Sequence, residues 1–147
     1  MSTAVPVFVD TSTLILSEDG AHSEQREQVL AWLRTLWAER TGRLSTQVLN
    51  DFYAQVTTRI TPAMPNGDAR AEVRRYQRWN PWPIDHATVE SAWSIESRFG
   101  LGYTDALIVA AAKAQGCTLL LSLDLPHDTV YDSVRIFNPL FAAPGAA

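Results

Sequence analysis

The run Val5-Pro6-Val7-Phe8-Val9 is apolar throughout and is closed by a single acid, Asp10. A short apolar run without alternating polar residues is typical of a strand that is buried on both faces of a parallel sheet. Residues 117–121 form a second run of this kind, and residues 134–137 form a short last run. We therefore predict strands at 5–10, 117–121 and 134–137.

Between these strands, apolar residues recur at helical spacing. The predicted helices lie between Ser23 and Gly42, between Ser45 or Thr46 and about Ile60, between Asp68 and about Arg78, over 86–99, and between Thr104 and Gly116. The polar stretch Thr11 to Gly20 is predicted to be a connection, which leaves Asp10 without a helix to cap. Buried strands separated by helices imply a parallel α/β sheet. We predict one domain over 1–141 and a disordered tail at 142–147.

The composition is that of an ordinary soluble domain, with 46% hydrophobic and 19% charged residues among 147. No apolar stretch approaches the roughly 20 residues of a membrane helix, and residues 1–9 lack the pattern of a secretory signal. The single cysteine, Cys117, excludes an internal disulfide and a cysteine-based zinc site. We therefore expect a cytoplasmic protein without membrane contact. The net charge of −4 argues against a nonspecific nucleic-acid coat but leaves a nucleic-acid enzyme open.

Aspartates stand where the predicted strands end. Asp10 closes the first strand, Asp124 follows the strand at 117–121, and Asp105 opens the last helix. An α/β sheet gathers the residues beyond its strand ends in one crevice. Carboxylates gathered there repel each other unless a cation joins them. The sequence therefore predicts a divalent-metal site of hard oxygen ligands.

Structural roles for three of the acids stay open on spacing alone. Asp105 would be stabilised by the dipole of the helix that it opens, and an acid before a turn, as at Asp124, is common. Asp51 lies at the edge of the apolar stripe of its helix, where solvated charges usually belong. Position alone favours a solvated surface role for Asp51.

Five segments taken in order are similar to those of a known family. They are Val7 to Ser12, Ser45 to Tyr53, Gly102 to Ala112, Leu120 to Leu125 and Val134 to Pro139. Together they resemble the PIN-domain family and, within it, the VapC-like toxins of bacterial toxin–antitoxin pairs. The resemblance covers nearly the whole chain, from residue 7 to about 140, and its strength lies in four acid-bearing segments in family order.

This resemblance implies a three-layer α/β/α sandwich on a central parallel sheet and metal-dependent cleavage of RNA with Mg²⁺ or Mn²⁺. It matches Asp10, Asp51, Asp105 and Asp124 to the four catalytic, metal-binding acids of the family, with Asp51 binding directly or through water. Thr11, Ser12 and Ser122 fall at supporting positions. The resemblance also implies a cognate antitoxin and a homodimer.

The sequence departs from the family pattern at three positions. Ser12 stands where relatives usually have asparagine, and a hydroxyl lacks the paired donor and acceptor of an amide. Asp51 replaces a glutamate and is shorter by one methylene, so direct metal contact needs a closer helix. Leu123 replaces a glutamate next to the fourth acid. These changes bear on metal affinity and rate, but all four acids are present.

Two arginines are candidates for contact with RNA or a partner. Arg74 and Arg78 are four residues apart on a predicted helix, while Arg40 and Arg43 lie elsewhere in the sequence. A solvated helix face is the structural alternative for Arg74 and Arg78.

A phosphoacceptor receiver domain and an inactive PIN-like scaffold are the alternative functions for the whole chain. A phosphoacceptor receiver domain also gathers aspartates but needs a lysine after a late strand, and the only lysine, Lys113, lies within a predicted helix. An inactive PIN-like binding scaffold stays open because of the substitutions at Ser12 and Asp51.

Overall fold

A computed structural model describes residues 5–146. Its strands are β1 (Val7–Val9), β2 (Gly42–Arg43), β3 (Leu119–Leu121), β4 (Val130–Tyr131) and β5 (Val134–Phe137). Its helices are α1 (Thr11–Glu18), α2 (Ser23–Glu39), α3 (Thr46–Val56), α4 (Asn66–Arg75), α5 (His86–Phe99) and α6 (Tyr103–Ala114), with 3₁₀ turns at Gly20–His22 and Tyr76–Trp79. The three predicted strands are confirmed, with ends that differ by at most two residues.

The sheet has the strand order β2-β1-β3-β5-β4. β1, β2, β3 and β5 run parallel, and Phe8, Leu120 and Ile136 are aligned across its middle. Both Leu120 and its neighbour Leu121 are fully buried. Because successive side chains of a strand point to opposite faces, helices must cover both faces of the sheet. The three-layer α/β/α sandwich in a single domain is therefore confirmed.

The sheet also has an antiparallel edge strand that the sequence did not predict. β4 pairs with β5 through Val130 and Arg135 and through Tyr131 and Val134. It is only two residues long and lies in a stretch rich in turn residues. A strand this short shows no recognisable alternation of apolar and polar residues.

Helix α1 occupies the stretch that was predicted to be a connection. Its polar residues Thr13 and Ser17 are buried, and their hydroxyls donate to the main-chain carbonyls of Leu121 and Leu14. Hydroxyls that are satisfied within the protein can be buried at little cost. The apolar periodicity of α1 is therefore too weak to predict the helix from sequence.

Several predicted helix ends are also wrong. Helix α2 ends at Glu39, where Arg40 adopts the left-handed conformation with φ of 59°, and Gly42 belongs to β2 instead. Ser23, Asp68 and Thr104 each lie inside a helix, and the N-cap residues are those before the helices, His22, Pro65 and Gly102. The cap at Ser45 and the full extent of α5 are confirmed. Helix ends depend on backbone geometry, which composition predicts poorly.

No helix among residues 5–146 is long and apolar enough to cross a membrane. At the C-terminal end, the Ala142 carbonyl accepts a hydrogen bond of 2.9 Å from the Trp32 indole. This contact holds the first residue of the segment that was predicted to be disordered. Disorder of the tail stays a prediction, and Ala147 lies outside the described residues.

Candidate active site at the carboxyl edge of the sheet

Asp10 follows β1 directly and begins α1 as its N-cap residue. Its Oδ1 atom accepts hydrogen bonds from the Ser12 hydroxyl at 2.6 Å and the Thr13 N–H at 3.2 Å. The Asp10 N–H donates to the Leu121 carbonyl at 3.1 Å and extends the pairing of β1 with β3. The expectation that Asp10 caps nothing is therefore wrong, because α1 begins at the next residue. The carboxylate is fixed in place by the helix that it caps.

Asp10 is only 6% exposed, and this burial raises the pKa of its carboxyl group from 3.8 to about 6. Hydrogen bonds from Ser12, Ser122 and Thr13 lower the pKa, whereas the charge of Asp124 raises it. Among residues 5–146, no Lys, Arg or His forms an ion pair with Asp10. A buried acid without a cationic partner is a group that a cation would stabilise.

Two serine hydroxyls join the loop after β3 to the start of α1. The Ser12 hydroxyl donates to Asp10 and accepts from the Leu123 N–H at 3.0 Å. The Ser122 hydroxyl accepts from the N–H groups of Asp124 at 3.1 Å and Leu125 at 3.0 Å. Asp124 itself is exposed. The hydroxyls predicted to support the site therefore fix the backbone that carries Asp124.

Asp105 lies in the first turn of α6 and is half-buried. Burial raises the pKa of Asp105, and the charge of Asp124 raises it further. Asp51, on α3, is also half-buried, and burial alone raises its pKa. Asp124 thus interacts electrostatically with both Asp10 and Asp105, whereas Asp51 shows no such coupling to the other acids.

The carboxylate oxygens of the site are of the chemical type that a hard divalent cation prefers, but they do not surround a position for one. Carboxylates are the protein groups that Mg²⁺ and Mn²⁺ prefer. Asp10, Asp51, Asp105 and Asp124 form no ion pair with a described residue, a property that they share with six of the other twelve acids. Within residues 5–146, however, no three acidic, histidine or cysteine side chains come close enough to hold one ion. The arrangement is an acidic site without cationic partners, and its side chains would have to move closer together to hold a cation.

The sequence matches the PIN domain family over residues 7–132. The chain belongs to the PIN-domain family. No curated protein is significantly similar to it in sequence.

A solved structure similar to this PIN domain is that of VapC20 from Mycobacterium tuberculosis, which is described as a sarcin–ricin loop cleaving toxin. The two share 20% sequence identity and superpose with a TM-score of 0.62, over 80% of this chain and 89% of the other. At this identity the likeness shows a common fold.

A groove of about 450 Å³ reaches Asp124, which is the only one of the four candidate acids of this PIN domain that lines it. Asp124, Ser12 and Thr11 line one part of it, and the Thr11 hydroxyl oxygen is buried without a hydrogen-bond partner among the described residues. The amides of Gln55 and Asn138 also line the groove, and sequence reasoning missed both. Gln55 lies outside the segments that resemble the family, and Asn138 lies within the last of them but was given no role, so only the folded chain reveals their place beside Asp124.

The two arginines predicted to contact RNA or a partner do not share a helix in this PIN domain. Arg74 lies in the last turn of α4, whereas Arg78 lies in the 3₁₀ turn that follows. Both are exposed. The helix expected to continue to Arg78 ends at Arg75, because the chain tightens to bury Tyr76 and Trp79. Arg78 instead lines a separate cavity with Arg40 and Arg43.

Proposed function

We propose that this PIN domain is a metal-dependent endoribonuclease and the toxin of a toxin–antitoxin pair. The observation that supports this best is the coupling of Asp10 and Asp105 through Asp124 without any cationic partner in the described part of the chain. Acids that raise one another's pKa destabilise the folded protein unless they bind a positive ion. The similarity in fold to VapC20, a sarcin–ricin loop cleaving toxin, supports the same proposal.

The residues of the site have distinct roles in this proposal. Asp10, Asp105 and Asp124 would hold a Mg²⁺ or Mn²⁺ ion, with Asp51 binding directly or through water. A bound divalent ion lowers the pKa of water and offsets charge on a phosphate under attack. Ser12 and Thr13 fix the Asp10 carboxylate, and Ser122 fixes the backbone at Asp124. These hydrogen bonds keep the acids in place before metal and RNA arrive.

The proposal is tested by incubating total RNA with purified full-length protein that has been freed of any antitoxin. Mn²⁺ or Mg²⁺ should give discrete fragments, and EDTA should abolish them. Asp10→Asn combined with Asp105→Asn should remove cleavage, while Asp68→Asn, an exposed acid on α4, should leave it unchanged. Asparagine is a good N-cap residue, so Asp10→Asn removes the charge without uncapping α1. Intact RNA with the folded wild-type protein, or equal cleavage by the double variant, would refute the nuclease.

A catalytically weak or inactive PIN-like scaffold is the second candidate. It is favoured by one observation, that no three potential ligands within residues 5–146 enclose an ion site. The two functions differ in metal binding, because a nuclease requires Mn²⁺ at these acids and a binding scaffold does not. Saturable Mn²⁺ binding that is lost in Asp105→Asn would favour the nuclease, whereas no binding by the folded protein would favour the scaffold.

We further propose that the protein is cytoplasmic, forms a homodimer and binds a cognate antitoxin. The resemblance to the VapC-like toxins supports both partners. Light scattering on the purified protein tests the dimer, and co-purification with the product of the adjacent gene tests the antitoxin. A monomer at all concentrations would refute the homodimer. The absence of a complex with that gene product would refute the antitoxin.

A further inference from the structure

A second cavity, of about 810 Å³, lies beside the edge strand β2. Its walls include Trp37, Arg40, Arg43, Arg78, Trp79 and Trp82. It reaches Arg40 and Gly42 at the amino end of β2, and Gln115 before β3. The four candidate acids follow carboxyl ends of strands or lie on helices, and none of them lines this cavity. The cavity is therefore separate from the candidate active site.

The charges of the cavity are entirely positive. None of its lining residues is acidic, and Arg40, Arg43 and Arg78 form no ion pair among the described residues. Other arginines of the chain are paired, such as Arg98 with Asp132 and Arg135 with Asp128. The guanidinium groups of Arg40 and Arg78 are exposed, so solvent screens the repulsion between them. An anion bound between the two groups would attract both.

The main chain holds one of the three guanidinium groups, that of Arg43, and fixes the backbone of Arg40. The Arg43 Nη1 atom donates to the carbonyls of Arg40 at 3.3 Å and Gly42 at 2.9 Å. Arg40 ends α2 in the left-handed conformation, and its N–H donates to the Leu36 carbonyl. A guanidinium that is already fixed loses little freedom when it binds, and its planar fork matches the oxygens of a phosphate.

The aromatic wall is equally well fixed. The ring centroids of Trp37 and Trp79 are 5.1 Å apart, and Tyr76 packs edge-on against Trp79 at 4.9 Å. Trp82 is half-buried, and its indole N–H donates to the Thr88 hydroxyl at 2.9 Å. Trp79 is 6% exposed, and its indole N–H has no partner among the described residues. Rigid aromatic rings beside cations are suited to a planar group that carries negative charge.

We propose that this cavity binds a nucleotide, with its phosphate at Arg40, Arg43 and Arg78 and its base against the tryptophans. The volume is in the range of about 300–1,000 Å³ that is usual for small-ligand sites. The nucleotide is either free or one unit of a single-stranded RNA, because both present the same base and phosphate. The site does not depend on the nuclease function, since it uses none of the acids.

The test is equilibrium dialysis of full-length protein in EDTA against AMP, UMP, adenosine and inorganic phosphate, with tryptophan fluorescence as a second readout. Arg40→Asn combined with Arg78→Gln should weaken AMP binding by about tenfold or more, because each removes a charge-assisted contact. Asparagine at position 40 tolerates the left-handed backbone. Arg59→Gln, at an exposed arginine outside the cavity, should leave binding unchanged.

Three results would overturn the proposal. They are no saturable AMP or UMP binding by the folded protein, equal binding by the double variant and the wild type, and inorganic phosphate binding as tightly as AMP. Displacement of AMP by a lower concentration of hexaglutamate would also overturn it, in favour of an acidic protein partner.

The source of the nucleotide is decided with a uridine hexamer and Asp10→Asn protein in EDTA. Binding of the hexamer about tenfold tighter than UMP, with the same loss in the double variant, assigns the site to RNA. Equal or weaker hexamer binding assigns it to a free nucleotide. Nucleotide binding without RNA cleavage by the wild type would refute only the nuclease, and cleavage without nucleotide binding would refute only this site.

Discussion

The Ser12 hydroxyl lies 2.6 Å from Asp10 Oδ1 and donates a hydrogen bond to it. The Ser12 Oγ atom also accepts a hydrogen bond from the Leu123 N–H, so this one hydroxyl connects the acid after β1 to the loop after β3. An amide such as asparagine offers a donor and an acceptor on separate atoms. The shorter serine performs both tasks with a single oxygen.

Ser12→Ala should lower the free energy of unfolding by about 1–2 kcal/mol, because the Leu123 N–H and the Asp10 carboxylate each lose a partner. It should also raise the pKa of Asp10 further, since the hydrogen bond from Ser12 lowers that pKa. Urea denaturation and NMR titration of the carboxyl group measure the two effects. Ser23→Ala, which removes an exposed hydroxyl at the start of α2, is the control. An unchanged Asp10 pKa in Ser12→Ala would contradict the assigned contact.

Asp10→Asn should stabilise the metal-free protein at about pH 8. The pKa of Asp10 is raised from 3.8 to about 6 on folding, so between these values the folded state holds a proton that the unfolded state has released. The free energy of unfolding therefore falls as the pH rises from about 4 to 6, by up to about 3 kcal/mol.

Urea denaturation with EDTA measures this contribution as the difference in free energy of unfolding between Asp10→Asn and the wild type. The effects of other titrating groups cancel in this difference. The difference should be small near pH 4 and should reach about 1–3 kcal/mol above pH 6. Mn²⁺ should then stabilise the wild type more than the variant. A difference that is constant from pH 4 to 8 would show that the Asp10 pKa is not raised.

Metal affinity should depend on the four acids to different extents. Asp105→Asn and Asp124→Asn should weaken Mn²⁺ binding by about tenfold or more, and Asp51→Asn by less than about tenfold. The reason is that Asp124 interacts with both Asp10 and Asp105, whereas burial alone shifts the pKa of Asp51. Isothermal titration calorimetry measures the affinities, with Asp68→Asn as the control. A larger loss in Asp51→Asn than in Asp105→Asn would place Asp51 among the direct ligands.

Gly42→Ala should destabilise the protein by about 1–3 kcal/mol through overpacking. A Cβ atom at Gly42 would lie 2.5 Å from the ring of the buried Trp79. Gly67→Ala, in the first turn of α4, meets no atom within 4 Å and should raise stability by up to about 1 kcal/mol. Urea denaturation of the two variants gives the comparison. Equal stabilities would mean that Trp79 can move away from β2.

The strands and the long helices could be predicted from sequence because burial on both faces leaves uninterrupted apolar runs, as in β1 and β3. Helix α1 could not be predicted, because its buried Thr13 and Ser17 look polar until their hydrogen-bond partners are known. The acids Asp10, Asp105 and Asp124 could be proposed together from their places near strand and helix ends. Their mutual coupling could not, because it depends on the loop after β3.

The cavity beside β2 shows a different limit of sequence reasoning. Arg40 and Arg43 are far from Arg78 in the chain, and the packing of Trp79 against Gly42 and the hydrogen bond from the Trp82 N–H to the Leu44 carbonyl bring the segments together. Helical spacing suggested a pairing of Arg74 with Arg78, which the 3₁₀ turn at Tyr76–Trp79 prevents. Local periodicity cannot predict contacts that arise from the meeting of distant segments.

The double role of Asp10 as acid and helix cap affects how this protein can change in evolution. Most substitutions there would remove the charge and also uncap α1, so they would impair folding as well as chemistry. Asparagine is an exception, because it keeps the cap, and a single base change in the codon converts aspartate to asparagine. If the proposed function is right, a folded protein without activity is therefore one base change away. If the protein is toxic to its host, survivors of its overexpression should carry asparagine at this position more often than alanine or valine.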